Sequence, residues 1–262
     1  MLAVLVGLLA GVLAGMLGVG GGFVVVPFLA WGQTAAQLSS AVALGAVAVL
    51  PIVMLSALQH WAAFIGRPSE RALVRQMLLP VALSAALAAL IAALLPGRVL
   101  TGLFAVIVGA VALSGLFGVA PALLKRLRPV KRRWLPWLPP ACIIGAGGGI
   151  IGAGGGYLAV PYLTVCRGQP VHLAIHQSAV LSLAAISGAS VTAGVRILLQ
   201  GGAALTVSTP ELRTLACLIL GGMIGVLIGQ AVAARLPATR LKFIFHVYLL
   251  LLSAHMLVHA VV

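Results

Sequence analysis

Acidic residues are nearly missing from this chain. Its 262 residues include two, Glu70 and Glu211, against 16 Lys and Arg, and only 7% of the chain is charged. Soluble domains carry roughly 25% charged residues, so little of this chain can face water on all sides. No acid stands inside an apolar run. Proton pumps and cation-coupled carriers usually place a carboxylate within the bilayer, and a cation would find no counter-charge here. Cysteine is scarce too. Cys142, Cys166 and Cys217 show no CxxC or metal-ligand spacing and read as packing residues. An acid pair, a nucleophile–base spacing and H-E-x-x-H are all absent, so nothing points to an enzyme. Gly147-x-Gly149-x-x-Gly152 matches a dinucleotide fingerprint as a string, but no strand precedes it and no acid follows at about 20 residues. No cofactor is implied.

Apolar sequence is what remains, at 63% of the chain. With about 20 residues per crossing, the length allows six to eight passes through a bilayer. The net charge of +14 does not indicate nucleic acid, because the basic residues sit in short gaps between apolar runs, as cytoplasmic loops do. The first residues resemble the apolar part of a signal peptide without its basic flank. They also belong to a repeat, so they are read as part of the fold.

That repeat is the main feature. GVLAGMLGVGGGFVVVPFL at 11–29 returns as GAGGGIIGAGGGYLAVPYL at 145–163. Gly11, Gly15, Gly18, Gly20, Gly21, Gly22 and Pro27 recur as Gly145, Gly149, Gly152, Gly154, Gly155, Gly156 and Pro161, always 134 residues on. Three consecutive glycines disfavour a continuous helix. Each copy is therefore expected to break, at 18–22 and 152–156. Uninterrupted spans are expected at 40–65, 72–95, 99–118, 178–199, 211–234 and 241–261, with polar gaps at 33–39 and 166–177. Ser69 and Thr209 are candidate N-caps. The stretch 119–134 carries six basic residues and no acid and separates a first transmembrane repeat, 1–118, from a second, 135–262. Glu70 and Glu211 take equivalent places at the start of the second full span of each half.

Charge placement suggests the topology. If each broken segment is re-entrant or crosses twice, 13 basic residues share the side of the central linker and three face the other way. A single crossing gives a less polarised split of 11 to 5, and the positive-inside rule prefers the first. Three spans per half then invert the second repeat. The expected fold is an all-α polytopic membrane protein of two inverted repeats. Each is a glycine-broken re-entrant or paired segment followed by three transmembrane helices, an architecture shared by many secondary transporters.

The glycine breaks suit an anion. Amides at the start of a half-helix point together and carry positive partial charge. Gly20, Gly21, Gly22, Gly154, Gly155 and Gly156 are the candidate contacts, against the plainer reading of close helix packing, which Gly11, Gly15, Gly145 and Gly149 fit better. Ser40, Gln177 and Ser178 begin the spans that follow the breaks. They can complete an anion's hydrogen bonds, or Ser40 and Ser178 can simply cap helices. Pro27 and Pro161 read as shape-setting. His60 beside Trp61 reads as an interfacial anchor, as do His255 and His259, whose i, i+4 spacing lacks a third ligand. His172 and His176 lie near a gap. Arg196 reads as snorkelling outward.

The doubled GxxGxGGGxxxxPxL, at 15–29 and 149–163, resembles the TauE/SafE family, also called the sulfite exporter family. The resemblance also takes in the two halves, the basic linker, and the Leu95-Pro96 and Leu236-Pro237 turns. It implies movement of small anions such as sulfite, organosulfur anions (sulfonates) or small carboxylates across the bacterial inner membrane. The serine of the family's polar A-x-x-T-S is kept at Ser40 and Ser178, and its predecessor differs. The expected partners are a small anionic substrate and the lipid bilayer, with a homodimer as an option. An anion channel and a non-transporting scaffold are the competing readings.

Overall fold

The computed structural model describes residues 2–30, 38–63, 68–116, 137–152, 154–199 and 209–261. The basic linker at 119–134 lies outside them. Ten α-helices follow in order: α1 (Leu2–Leu17), α2 (Gly22–Ala30), α3 (Leu38–Ala63), α4 (Pro68–Ala92), α5 (Gly97–Leu116), α6 (Leu138–Ile151), α7 (Gly156–Pro161), α8 (Val171–Leu199), α9 (Thr209–Arg235) and α10 (Ala238–Val261). The described residues contain no strand. Both apolar segments break where the glycines predict, and the six spans lie within a few residues of their expected bounds, α8 excepted.

Three boundaries differ from expectation. α8 starts at Val171, so His176, Gln177 and Ser178 lie inside a helix and not at its mouth. Their polarity marks contacts with other polar groups, described below, and not a loop. Ser69 lies within the first turn of α4, because Pro68 already supplies a helix-compatible φ at the first position. Pro161 ends regular α-helix in α7, but the chain continues as a π-helical turn at Tyr162–Cys166 before Gly168, at φ 65°, leaves the helix.

The outer surface is apolar. On α4, Leu73, Val74, Met77, Val81, Ala85 and Ala88 turn inward, while Leu79, Leu83 and Leu87 are 67%, 56% and 63% exposed. On α9, Leu220, Ile224 and Leu227 are likewise uncovered. A helix apolar on both faces is one whose outer solvent is lipid. Among the described residues, α4, α8 and α9 each contain a stretch long and apolar enough to cross a membrane. The chain is an all-α membrane protein. Cys142 and Cys166 lie on this outer surface and Cys217 is half-covered, so the thiols are not the core-packing residues expected of them.

The halves interlock. α1 of the first half packs on α9 of the second, and α6 of the second packs on α4 of the first. α3 lies against α8, α5 against α10, α4 against α8 and α9 against α3. Exchange α1 to α5 for α6 to α10 and every one of these pairs maps onto another or onto itself.

Glycine stripes permit the closest of these approaches. A Cβ at Gly7, Gly11 or Gly15 would run into the backbone carbonyls of Leu218, Gly222 and Val226 on α9. A Cβ at Gly145 or Gly149 would meet those of Val81 and Ala85 on α4. Between helices in lipid, van der Waals packing at such short range replaces the hydrophobic effect as the main attraction.

Candidate functional site

Each break is built by two left-handed glycines. Gly18 and Gly20 have φ of 64° and 84°, and Gly152 and Gly154 have 66° and 86°. L-residues with a Cβ pay about 1–2 kcal/mol for that conformation, so the glycines stop α1 and α6 and re-aim the chain. The local hydrogen bonds repeat as well. The Gly18 amide donates to Ala14 O at 2.9 Å, and the Gly152 amide to Gly148 O at 2.9 Å. Beyond the break, Val24 and Val25 donate to Gly21 O, as Leu158 and Ala159 do to Gly155 O. The first amides of a helix have no acceptor within it, so α2 and α7 each begin with N–H groups directed out of the helix end.

The two breaks meet. An added Cβ on Gly156 would strike Gly18 O, Val19 Cα and Ser182 Oγ, and one on Gly154 would lie 3.1 Å from Val19 O. Just inside, Phe23 and Tyr157 pack edge to face with ring centroids 5.0 Å apart. These two residues are repeat counterparts, each following its glycine triplet.

Gly20, Gly154 and Gly156 thus belong to the meeting point. The other triplet glycines differ in role. Gly21 is backed by Ala10 of α1, and Gly155 by Ile144 of α6, at distances that leave no room for a side chain. They fold each half-helix back on the helix before it. Gly22 opens α2 and is buried.

Polar side chains gather on one side of this point. Ser178 Oγ donates to Gly18 O at 3.0 Å and to Ile175 O at 2.9 Å, and Ser182 Oγ reaches Gly18 O at 3.2 Å. Two hydroxyls of α8 therefore hold the carbonyl at the first break, so capping is not the task of Ser178. Gln177 is fully buried, and its amide N–H donates to Glu70 Oε2 at 2.6 Å. Gln169 donates to the same oxygen at 2.7 Å. Ser40 opens α3, but its side chain lies outside the described residues, as do those of Arg196, His255 and His259.

His60 was not expected here. It is 2% exposed and no interfacial anchor. Its Nε2 lies 3.1 Å from Gly15 O, and its Nδ1 lies 2.7 Å from Nδ1 of His176 and 3.5 Å from Nε2 of Gln230. The sequence hint was a run of polar residues, Gln59-His60 and His176-Gln177, at the ends of two otherwise apolar spans. No group of three or more His, Cys, Asp or Glu side chains able to hold a metal occurs among the described residues.

Compared with known proteins, residues 3–256 match the family described as sulfite exporter TauE/SafE. No curated protein and no solved structure matches the chain.

Proposed function

The chain belongs to the sulfite exporter TauE/SafE family and is a multi-pass membrane transporter; from that premise we propose that it moves a small anion, with sulfite, a sulfonate or a small carboxylate as the substrate class. The anion is held near the bilayer centre by the amides that open α2 and α7, at Gly20, Gly21, Gly22, Gly154, Gly155 and Gly156. Ser178 shapes the first break from α8, and Ser40 occupies the matching place on α3. The two repeats are inverted, and the membrane is the bacterial inner membrane. The contact between the breaks, each led by left-handed glycines, carries this reading. Two helix starts brought together put partial positive charge at one place without a buried cation. The exchange of helix pairs between halves supports the repeat, and the absence of an acid within the spans favours an anion.

The test is exchange of labelled sulfite across liposomes containing the purified chain. Gly20→Ala and Gly154→Ala introduce strain only at the break and are expected to cut exchange at least about tenfold, a change worth about 1.4 kcal/mol, with folded yield retained. Normal exchange by both variants would remove the glycine breaks from the site. A wild-type chain that exchanges no small anion would remove the substrate class.

A further inference from the structure

The fold encloses a pair of imidazoles beside the first break, and their roles follow from their partners. His60 Nε2 faces a carbonyl, Gly15 O, so it carries a hydrogen and donates. In a neutral ring Nδ1 is then the acceptor, which leaves His176 Nδ1–H as donor across the 2.7 Å contact. The Gln230 amide, at 3.5 Å, approaches the same acceptor. With both nitrogens of His60 engaged, an added proton goes to His176. As an imidazolium His176 still donates from Nδ1, and the bond becomes charge-assisted and stronger. A second proton, on His60 Nδ1, would set two donors against each other. The pair therefore accepts one proton and refuses a second.

Its location links that proton to the break. His60 belongs to α3 and His176 to α8, one from each half, and Gly15 is the last stripe glycine before Gly18. His176 precedes Gln177 and Ser178, and Ser178 holds Gly18 O. The charged and titratable groups on the surrounding elements are Glu70, Arg71 and Arg75 on α4, Arg235 on α9, His172 on α8, and Tyr162, Cys166 and Arg167 after α7. Of these, Glu70 reaches the neighbourhood through Gln177, and its Oε2 already accepts two amide hydrogens.

We propose that the His60–His176 pair is a proton-binding site whose proton travels with the anion. The proposal rests on the transporter reading above. An isolated buried charge is costly. A proton on His176 and an anion at the adjacent half-helix starts offset one another, so each favours the binding of the other and the loaded site is closer to neutral. One proton is taken up per monovalent anion. His60 positions His176 by fixing the direction of the bond.

The experiment compares wild type, His176→Gln, His60→Gln and Glu70→Gln in liposomes holding a trapped pH dye. Two quantities are read: proton movement driven by a sulfite gradient, and the pH dependence of labelled sulfite exchange between about pH 5 and 8, the range in which histidine titrates. Linkage of one proton changes apparent affinity by up to about tenfold per pH unit, tighter at lower pH. Comparing chains at each pH cancels the titration of sulfite itself. His176→Gln is expected to keep exchange while losing both the proton movement and its share of the pH dependence, with His60→Gln partway between. Proton movement lost in Glu70→Gln and kept in His176→Gln would assign the site to the carboxylate and overturn the proposal. So would a His176→Gln chain that moves protons as wild type does. If the histidine variants do not fold, the wild type still decides: sulfite exchange without sulfite-driven proton movement overturns the pair as a coupling site. A wild type that exchanges no sulfite defeats the transporter reading instead.

Discussion

Gly18 O receives two hydroxyls, and this makes the first break a specific test of hydrogen bonding in the core. Removing Ser178 Oγ leaves Ser182 Oγ at 3.2 Å, so Ser178→Ala alone is expected to cost about 0.5–1 kcal/mol. The double change Ser178→Ala with Ser182→Ala removes both donors from a buried carbonyl and is expected to cost about 1–3 kcal/mol, more than the two single effects added. Melting of the purified chain in detergent reads both values, and additive effects would show that the two hydroxyls do not share one acceptor. At this scale the sequence was only partly legible. Matched spacing was enough to place Gly18, Gly20, Gly152 and Gly154, because a left-handed residue is a property of the local chain. His60, His176 and the Gln177–Glu70 bond depend on which spans become neighbours, and that is not written in the residues next to them.

Helix faces obey a sharper rule. Where two backbones touch, glycine is a steric requirement. Gly11→Leu and Gly149→Leu would drive a side chain into the carbonyls of Gly222 and Ala85, and the expected outcome is loss of monodisperse protein by size exclusion. Gly102→Leu on α5 and Gly194→Leu on α8 meet nothing within 4 Å and are expected to leave yield and exchange near wild type. Equal sensitivity at all four would mean that the stripes on α1 and α6 are not the contacts described. The small-xxx-small spacing of Gly11-Gly15 and Gly145-Gly149 announced packing faces, though not their partners on α9 and α4. The start of α8 misled for a related reason. A polar run at 166–177 reads as a gap when the residues that would satisfy it, His60 and Glu70, are more than 90 positions away.

The molecule as a whole cannot be divided at its linker into self-sufficient halves. α1 has its broad contact on α9, and α6 on α4. Residues 1–118 or 135–262 produced alone are therefore expected to be degraded or aggregated, since each would expose two glycine stripes. Produced together as separate chains, they are expected to co-purify and exchange sulfite. A stable lone half would contradict the interlocked packing. The division into halves and the helix count were readable from the offset of 134 residues, because repetition of glycine and proline survives when apolar residues drift. The crossing-over of the halves was not readable, since any order of packing keeps the same spans apolar.

The Phe23–Tyr157 contact has a historical consequence. Residues that meet their own repeat counterpart lie on the axis about which the halves exchange. In an ancestor assembled from two copies of one short gene, any substitution at that position would have appeared on both sides of the contact at once. A phenyl ring facing a phenol is therefore a state open only after duplication and fusion had given each copy its own codon. The same holds for the polar cluster beside the first break, where His176 and Gln177 face places that Leu38 and Ser39 hold in the other copy. An ancestor of identical copies had to offer a travelling solute the same chemistry from both faces, whereas this chain is free to treat its two faces differently.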